Sequence, residues 1–128
     1  MAKKSILVVE DDVGVRKVLK RFCGTMDVDL VETWTIKSAL EECASRSFDL
    51  VIMDYNISNG EIGWNVAKQI RANSTMYGSP RTIATSGTVN AESTARSLGL
   101  TKAEVDEYLH KPFDLNELRS VLERLLGI

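Results

Sequence analysis

The sequence predicts an α/β fold in which a parallel sheet carries helices on both faces, and three observations support this. Short apolar runs alternate along the chain with segments of helical periodicity. The run at residues 50–53 is apolar throughout, as is typical of a strand covered on both faces. The alternation continues over all 128 residues without a linker or repeat, so we expect residues 1–128 to form a single domain.

The first part of the chain contains three predicted strands and two predicted helices. The strands are expected at residues 5–9, 28–31 and 50–53. Apolar residues at positions 15, 18, 19 and 22, and then at 36, 39, 40, 43 and 44, have the spacing of one helical face. Cys23 and Cys43 lie on these faces, so we expect them to be small core residues and not metal ligands.

A third helix and a fourth strand are predicted in the middle of the chain. The turn-rich segment at residues 56–60 precedes apolar residues 62, 66, 67 and 70, which have helical spacing. We expect this helix to end before Ser74, where polar residues interrupt the pattern. Residues 81–85 predict the fourth strand, with a weaker pattern than the other strands.

The last part of the chain contains two further helices and a strand. Residues 90–98 fit a fourth helix closed by Gly99, and the strand follows at residues 108–110. Between them, Thr101 and Glu104 have capping-box spacing, which favours an extra turn. A fifth helix then follows a predicted Asp cap at position 114, and its apolar face contains residues 115, 118, 121, 122, 125 and 126.

Five strand–helix units in succession predict a flavodoxin-like doubly wound sheet of five parallel strands, with order 2-1-3-4-5 and five helices. Several predicted strands end on acidic or basic residues. The first strand is followed by Glu10, Asp11 and Asp12, the third by Asp54, and the last by Lys111. Because the carboxyl ends of parallel strands share one edge, where ligands bind, we expect these side chains to converge there.

The acidic residues suit a magnesium site, because Mg²⁺ prefers oxygen ligands and is usually held by one or two carboxylates. Asp11, Asp54 and a backbone carbonyl near Asn56 are the expected ligands. Glu10 has a longer side chain and is expected to act through a water molecule. Strand-end acids also occur as solvated loop charges or helix caps, and the second acidic strand end favours the metal.

A carboxylate near a cation can also attack phosphorus and form an aspartyl phosphate, whose charge a metal ion and a lysine would neutralise. Lys111 is placed for this role, and a cis Lys111–Pro112 bond is hypothesised to fix its direction. Thr85 and Ser86 end the fourth strand and offer hydroxyl groups. Tyr108 is expected to alternate between buried and exposed rotamers, the alternative being an ordinary half-buried strand residue.

Composition excludes several classes of function. Lys and Arg number 16 against 18 Asp and Glu, a net charge of −2 without a basic arm, so we expect no nucleic-acid or membrane partner. No apolar stretch approaches the ~18 residues of a membrane helix, and the chain is expected to be cytoplasmic. A single histidine, His110, excludes His-rich zinc chemistry and a conventional triad.

Over nearly its whole length the chain resembles the receiver domain of two-component response regulators, in its stand-alone form. The resemblance rests on residues 6–12 with Arg16, 50–54, 82–87 and 108–113, which occur in the order of the family's motifs. It implies that a histidine kinase or histidine phosphotransfer protein donates a phosphoryl group to Asp54. The remaining implied roles are direct Mg²⁺ binding by Asp11, water-mediated binding by Glu10, phosphoryl contact by Lys111 and a switching hydroxyl on Ser86, or on Thr85.

The resemblance also implies how the signal is read. Phosphorylation would move the loop after strand 4 together with Tyr108, and so change the surface of predicted helix 4, strand 5 and helix 5 for a downstream protein. Asp12 and Asn56 resemble positions that tune hydrolysis of the acyl phosphate. The protein would be a monomer or a phosphorylation-dependent dimer. It would catalyse only its own autophosphorylation and autodephosphorylation and would not otherwise be an enzyme.

The chain departs from the family pattern in two segments. Ser58 stands where a proline is usual, and the following glycine, Gly63, comes one residue late. The segment between Gly99 and Tyr108 is longer than usual and adds structure to the expected output face, which puts the usual dimer contacts in doubt. The altered loop keeps open a second interpretation, a receiver-like binding module that is never phosphorylated.

A third interpretation is a haloacid-dehalogenase-like phosphatase, because residues 54–58 superficially match an Asp-x-Asp-x-Ser/Thr nucleophile motif. Asn56 replaces the acid that this motif needs, and the chain has no room for a cap domain. The acidic pair also precedes the nucleophile strand. Phosphoacceptor chemistry is therefore the favoured prediction.

Overall fold

The computed structural model describes residues 3–57, 60–87 and 90–128. Position 58, where the sequence lacks the usual proline, lies outside these ranges. The elements are β1 (Ser5–Val9), α1 (Val13–Thr25), β2 (Asp29–Thr33), α2 (Ile36–Ser45), β3 (Leu50–Asp54), α3 (Asn65–Ala72), α4 (Ser74–Tyr77), β4 (Arg81–Ser86), α5 (Ala91–Ser97), β5 (Glu107–His110) and α6 (Leu115–Leu126). In the part of the chain so described, no helix is long and apolar enough to cross a membrane.

The five strands form one sheet in the order β2-β1-β3-β4-β5, and every pair is parallel. The predicted doubly wound sheet and its strand order are confirmed. Alternation along the strands divides the core: Leu7 and Val9 face α2, α3 and α5, whereas Ile6 and Val8 face α1 and α6. Both faces are therefore covered, which explains why every residue of β1 and β3 is buried and why residues 6–9 and 50–53 are apolar.

The prediction of five helices is wrong by one, because α4 is an additional short helix. The third helix ends before Ser74 as predicted, since Asn73 leaves the helical region with φ −142° and ψ 67°. The Asn73 side chain then accepts a hydrogen bond from Met76 N at 3.3 Å and starts a new turn, which Gly78 closes with φ +80°. A helix of four residues is too short to show periodicity in the sequence.

The second strand also differs from the prediction, because it is paired over Asp29–Thr33 and not over residues 28–31. Val28 is buried, but it precedes the ladder in which Val9 lies opposite Thr33. Both cysteines lie in the core as predicted, and burial raises the pKa of Cys23 and Cys43 to about 11. Neither thiol is therefore prepared to act as a thiolate ligand.

The predicted polar turns are present. Asp114 Oδ1 accepts hydrogen bonds from Asn116 N and Glu117 N at 2.9 and 3.2 Å and caps α6. The backbone N–H and the hydroxyl of Thr101 both donate to Glu104 Oε2, at 2.9 and 2.6 Å, which confirms the extra turn before β5.

Candidate functional site

The carboxyl ends of the strands bring three carboxylates together. Glu10 directly follows β1, Asp11 comes next, and Asp54 is the last residue of β3. Each contributes a carboxylate oxygen to a group whose members all lie within 4.8 Å of one another. Glu10 and Asp54 are buried, whereas Asp11 is exposed, so the cluster opens to solvent on one side.

Lys111 provides the positive charge of this cluster. Its Nζ lies 2.8 Å from Glu10 Oε1 and 3.3 Å from Asp54 Oδ1. The Lys111 backbone N–H donates to Ser86 O at 2.8 Å, and the Lys111–Pro112 peptide bond is cis, as hypothesised. Burial lowers the pKa of Lys111, but the hydrogen bonds and negative charges of Glu10 and Asp54 outweigh it, so the pKa is raised and the amine is charged.

Glu10 is the most deeply buried acid of the cluster, with 2% of its surface exposed. Burial raises the pKa of its carboxyl group, as does the negative charge of Asp54, while the hydrogen bond from Lys111 opposes both. A second hydrogen bond comes from the backbone N–H of Asp12 to Glu10 Oε2 at 3.2 Å. The carboxylate is thus held from two sides, with one oxygen bonded to each donor.

Asp12 directly follows the clustered Asp11 in the chain, and Asn56 lies two residues after Asp54. The Asp12 side chain is exposed and caps α1, because its Oδ1 accepts a hydrogen bond from Val15 N at 3.0 Å. Asn56 is exposed and forms an isolated antiparallel bridge with Ile62, which closes the loop after β3. Asp12 therefore has a structural role as the cap of α1, and Asn56 has one in the loop after β3.

The two candidate hydroxyl residues face opposite sides of β4. Thr85 lies beside Asp54 in the strand ladder, and its Oγ1 lies 3.4 Å from Asp54 Oδ1. Ser86 is buried and lines a cavity of about 150 Å³ together with Tyr108 and Ala91. In this structure the threonine hydroxyl therefore contacts the acid, and the serine shares its surroundings with the tyrosine.

Tyr108 is half-buried and packs against Trp64, a residue that was not among those predicted from the sequence. Their ring centroids are 5.4 Å apart in an edge-to-face arrangement, and the ring centroid of Tyr55 lies 5.2 Å from that of Trp64, also edge to face. Trp64 is fully buried and donates from Nε1 to Thr85 O at 3.1 Å. In the sequence, Trp64 has helical spacing with Ala67 on the buried face of α3. This spacing indicates that Trp64 is buried, but it does not indicate which residues Trp64 contacts.

The donor set is compatible with magnesium. Among the described residues, the clustered ligand groups of this site are carboxylates, and hard oxygen donors are what Mg²⁺ binds. The chain's single histidine, His110, is exposed in β5, and the cysteines are buried in the core. A soft-metal site is therefore not favoured at this edge.

Fold and site together define an α/β protein with an acidic cluster and a lysine at the switch point of its sheet. The family model described as "Response regulator receiver domain" matches residues 6–123. The chain belongs to this family.

Two curated relatives carry the comparison further. "Probable transcriptional regulator ycf29" of Cyanophora paradoxa is 28% identical over 123 residues, which cover 96% of this chain and 56% of that protein. "KDP operon transcriptional regulatory protein KdpE" of Escherichia coli is 27% identical over 118 residues, 92% of this chain and 49% of that protein. The chain therefore spans about half the length of the curated relatives it matches.

A solved structure shares the whole architecture. The receiver domain of the sensor histidine kinase PA1611 from Pseudomonas aeruginosa PAO1 is 26% identical, with a TM-score of 0.80 over 99% of this chain and 100% of that one. Its description states that a magnesium ion is coordinated in its active site cleft.

Proposed function

We propose that this chain is a phosphoacceptor that takes a phosphoryl group onto Asp54 in a Mg²⁺-dependent reaction. One observation carries the proposal: Asp54 lies in one cluster with two further carboxylates, and its Oδ1 lies 3.3 Å from the Lys111 Nζ. A nucleophilic carboxylate, a site for a divalent cation and a fixed amine are what acyl phosphate formation needs.

The phosphoryl donor is proposed to be a phosphohistidine on a histidine kinase or a histidine phosphotransfer protein. In the transfer, an Asp54 carboxylate oxygen forms a bond to phosphorus while the bond between phosphorus and the donor's imidazole nitrogen breaks. The electron pair of the broken bond stays on the imidazole, which then takes up a proton from water. Membership of the receiver family supports a donor of this class.

Magnesium would be held by Asp11, Asp54 and the backbone carbonyl of Asn56, with Glu10 acting through water. When bound, the ion supplies positive charge that offsets the negative charge of the transferring group. The three clustered carboxylates support this assignment, as does the magnesium ion described in the PA1611 receiver domain.

Lys111 is proposed to contact the phosphoryl oxygens. Phosphorylation adds about −1.5 to −2 charge and three acceptor oxygens. The amine already lies within reach of Asp54, and its raised pKa keeps it charged at neutral pH. The transfer would draw Lys111 from Glu10 towards the new group.

The readout is proposed to pass through Ser86 and Tyr108. Movement of the Ser86 hydroxyl towards the phosphoryl group would change the cavity that Tyr108 borders, with Thr85 as the alternative hydroxyl. The surface predicted to switch, helix 4 with strand 5 and helix 5, corresponds to α5, β5 and α6 because α4 shifts the numbering. A downstream protein would bind this surface, with the chain as a monomer or as a phosphorylation-dependent dimer.

The chemistry is proposed to end with autophosphorylation and autodephosphorylation, without turnover of a separate substrate. Asp12, next to Asp11 in the chain, and Asn56, two residues after Asp54, are the residues proposed to tune hydrolysis. We also propose that residues 1–128 form one receiver domain, that it acts through protein contacts and not through nucleic acid, and that it does so in the cytoplasm.

Intact mass spectrometry tests the proposal. The chain is incubated with Mg²⁺ and acetyl phosphate, with and without EDTA, beside Asp54→Asn and a matched control, Asp27→Asn. Asp27 is exposed and has φ +58°, a conformation that asparagine adopts readily. We expect one phosphoryl group on the native chain and on the control, and none on Asp54→Asn or in EDTA.

Other results would identify another function. A mass gain that survives Asp54→Asn would exclude Asp54 as the acceptor. The absence of any gain would favour the binding module that is never phosphorylated. Sustained turnover of a phosphate monoester would favour the phosphatase.

A further inference from the structure

Arg16, in the second turn of α1, reaches back to the acidic loop that connects β1 to α1. Its Nη1 donates hydrogen bonds to two successive backbone carbonyls, Glu10 O at 2.9 Å and Asp11 O at 3.2 Å. The same residues contribute two of the three clustered carboxylates. One guanidinium group therefore contacts the backbone of both acids without contacting their side chains.

The guanidinium group is itself held on its other sides. Arg16 Nε lies 3.4 Å from Glu32 Oε1, at the edge strand β2, and the Arg16 carbon Cζ lies 4.5 Å from the centre of the Trp34 ring. The Arg16 side chain is 13% exposed although it begins on a surface helix. A charged group so enclosed has little freedom to leave its carbonyl partners.

We propose that Arg16 is the positioning residue of the magnesium site, an inference that rests on the proposed function. The peptide units after Glu10 and Asp11 set the directions in which these two side chains leave the backbone. By fixing both carbonyls, Arg16 keeps the carboxylates of Glu10 and Asp11 turned towards Asp54. Glu32 and Trp34 act through Arg16 by holding the guanidinium plane.

Geometry and charge make opposite predictions for this residue. A positive charge beside a cation site repels Mg²⁺, so loss of the Arg16 charge alone would tighten Mg²⁺ binding. Loss of the carbonyl contacts would loosen it, because the partners that orient metal ligands typically contribute 10–100-fold in affinity. Lysine keeps the charge. It lacks the planar guanidinium group that binds the two carbonyls, pairs with Glu32 and stacks on Trp34 at the same time.

The test is a Mg²⁺ titration of the full chain at constant ionic strength, followed by backbone amide NMR shifts, which also report the fold. We expect the Kd for Mg²⁺ to rise about tenfold in Arg16→Lys and also to rise in Arg16→Met. The matched control is Arg119→Lys, since Arg119 lies on α6 with its Cζ 5.1 Å from the Phe22 ring centre. That variant should bind Mg²⁺ like the native chain.

A native Kd in folded Arg16→Lys, or tighter binding in Arg16→Met, would overturn the inference and leave the proposed function intact. If the native chain itself bound no Mg²⁺, the proposed function would be overturned and this inference with it.

A second pair of variants covers the case in which the Arg16 substitutions do not fold. Glu32→Gln removes the charge that orients Arg16 and should raise the Kd for Mg²⁺ several-fold. Lys20→Gln removes only the exposed second partner of Glu32, 3.7 Å away, and should have no effect. Equal affinities in these two variants would overturn the inference.

Discussion

Gly63 lies directly against the phosphoacceptor candidate, because a Cβ atom at this position would be 2.1 Å from the Asp54 carbonyl oxygen. The Gly63 N–H also donates to Tyr55 O at 2.9 Å, which closes the loop onto the end of β3. A side chain here would meet backbone atoms that cannot move alone. The glycine therefore permits the close return of the chain after Asp54.

Replacement of Gly63 by alanine is expected to lower the free energy of unfolding by about 1–3 kcal/mol, because the loop must shift to relieve the collision. The measurement is urea denaturation followed by circular dichroism. Gly24→Ala is the matched control: an added Cβ meets nothing within 4 Å there, and alanine should stabilise helix α1 by about 0.5–1 kcal/mol. Equal effects of the two substitutions would contradict the account of Gly63.

The sheet could be predicted from the sequence because buried parallel strands have continuous apolar runs, as at residues 6–9 and 50–53. The convergence of Asp54 with Glu10 followed from strand order alone. Helix α4 could not be predicted, since four residues carry no periodicity. The start of β2 was misplaced because Val28 is buried like a strand residue but lies outside the ladder.

The contacts that refine the site were also beyond the sequence. The hydrogen bond from Trp64 to Thr85 O joins residues that are distant in the chain. Gly63 approaches Asp54 across a loop whose path the sequence does not specify. Single-sequence patterns report burial and local structure, whereas these contacts depend on how α3 is placed on the sheet.

Trp64 is expected to contribute to stability through both packing and its hydrogen bond. Trp64→Phe should lower the free energy of unfolding by about 1–3 kcal/mol, because it leaves a cavity and removes a donor from Thr85 O. Trp34 is 49% exposed and phenylalanine keeps an aromatic ring beside Arg16, so Trp34→Phe should change stability by no more than about 0.5 kcal/mol. Thermal and urea unfolding of the two variants measure this difference, and the reverse order of stability would contradict it.

The Trp34→Phe protein also offers a test of the switching hydroxyl, because Trp64 is then the only tryptophan. The ring centroids of Trp64 and Tyr108 are 5.4 Å apart, so rearrangement of Tyr108 on phosphorylation should change the fluorescence of Trp64. In this background we expect Ser86→Ala to abolish the change and Thr85→Val to retain it. The opposite result would assign the role to Thr85, whose hydroxyl contacts Asp54 in the structure.

The buried Glu10 carboxyl group should make stability depend on pH. Burial raises the pKa of Glu10 above 4.5 in the folded chain. The protonated group therefore contributes to the free energy of unfolding below pH 4.5, and this contribution is lost as the pH rises through the pKa of the folded chain. Lys111, whose pKa is raised above 10.5, stays charged throughout this window. Glu10→Gln cannot ionise, so its stability relative to the native chain should increase with pH above 4.5 and then level off.

Urea denaturation in EDTA at a series of pH values from about 4 upwards measures this difference, because the raised pKa of Glu10 makes its carboxyl group ionise above its usual range. A difference that falls with pH would show that the pairing of Glu10 with Lys111 outweighs the cost of its burial.

We propose that Asp54, and no other acid of the cluster, receives the phosphoryl group. The most direct measurement is to phosphorylate the chain with acetyl phosphate and Mg²⁺, reduce the acyl phosphate with borohydride, and locate the reduced residue by peptide mass spectrometry. We expect reduction at Asp54 alone. Reduction at Glu10, Asp11 or Asp12 with Asp54 unmodified would contradict it.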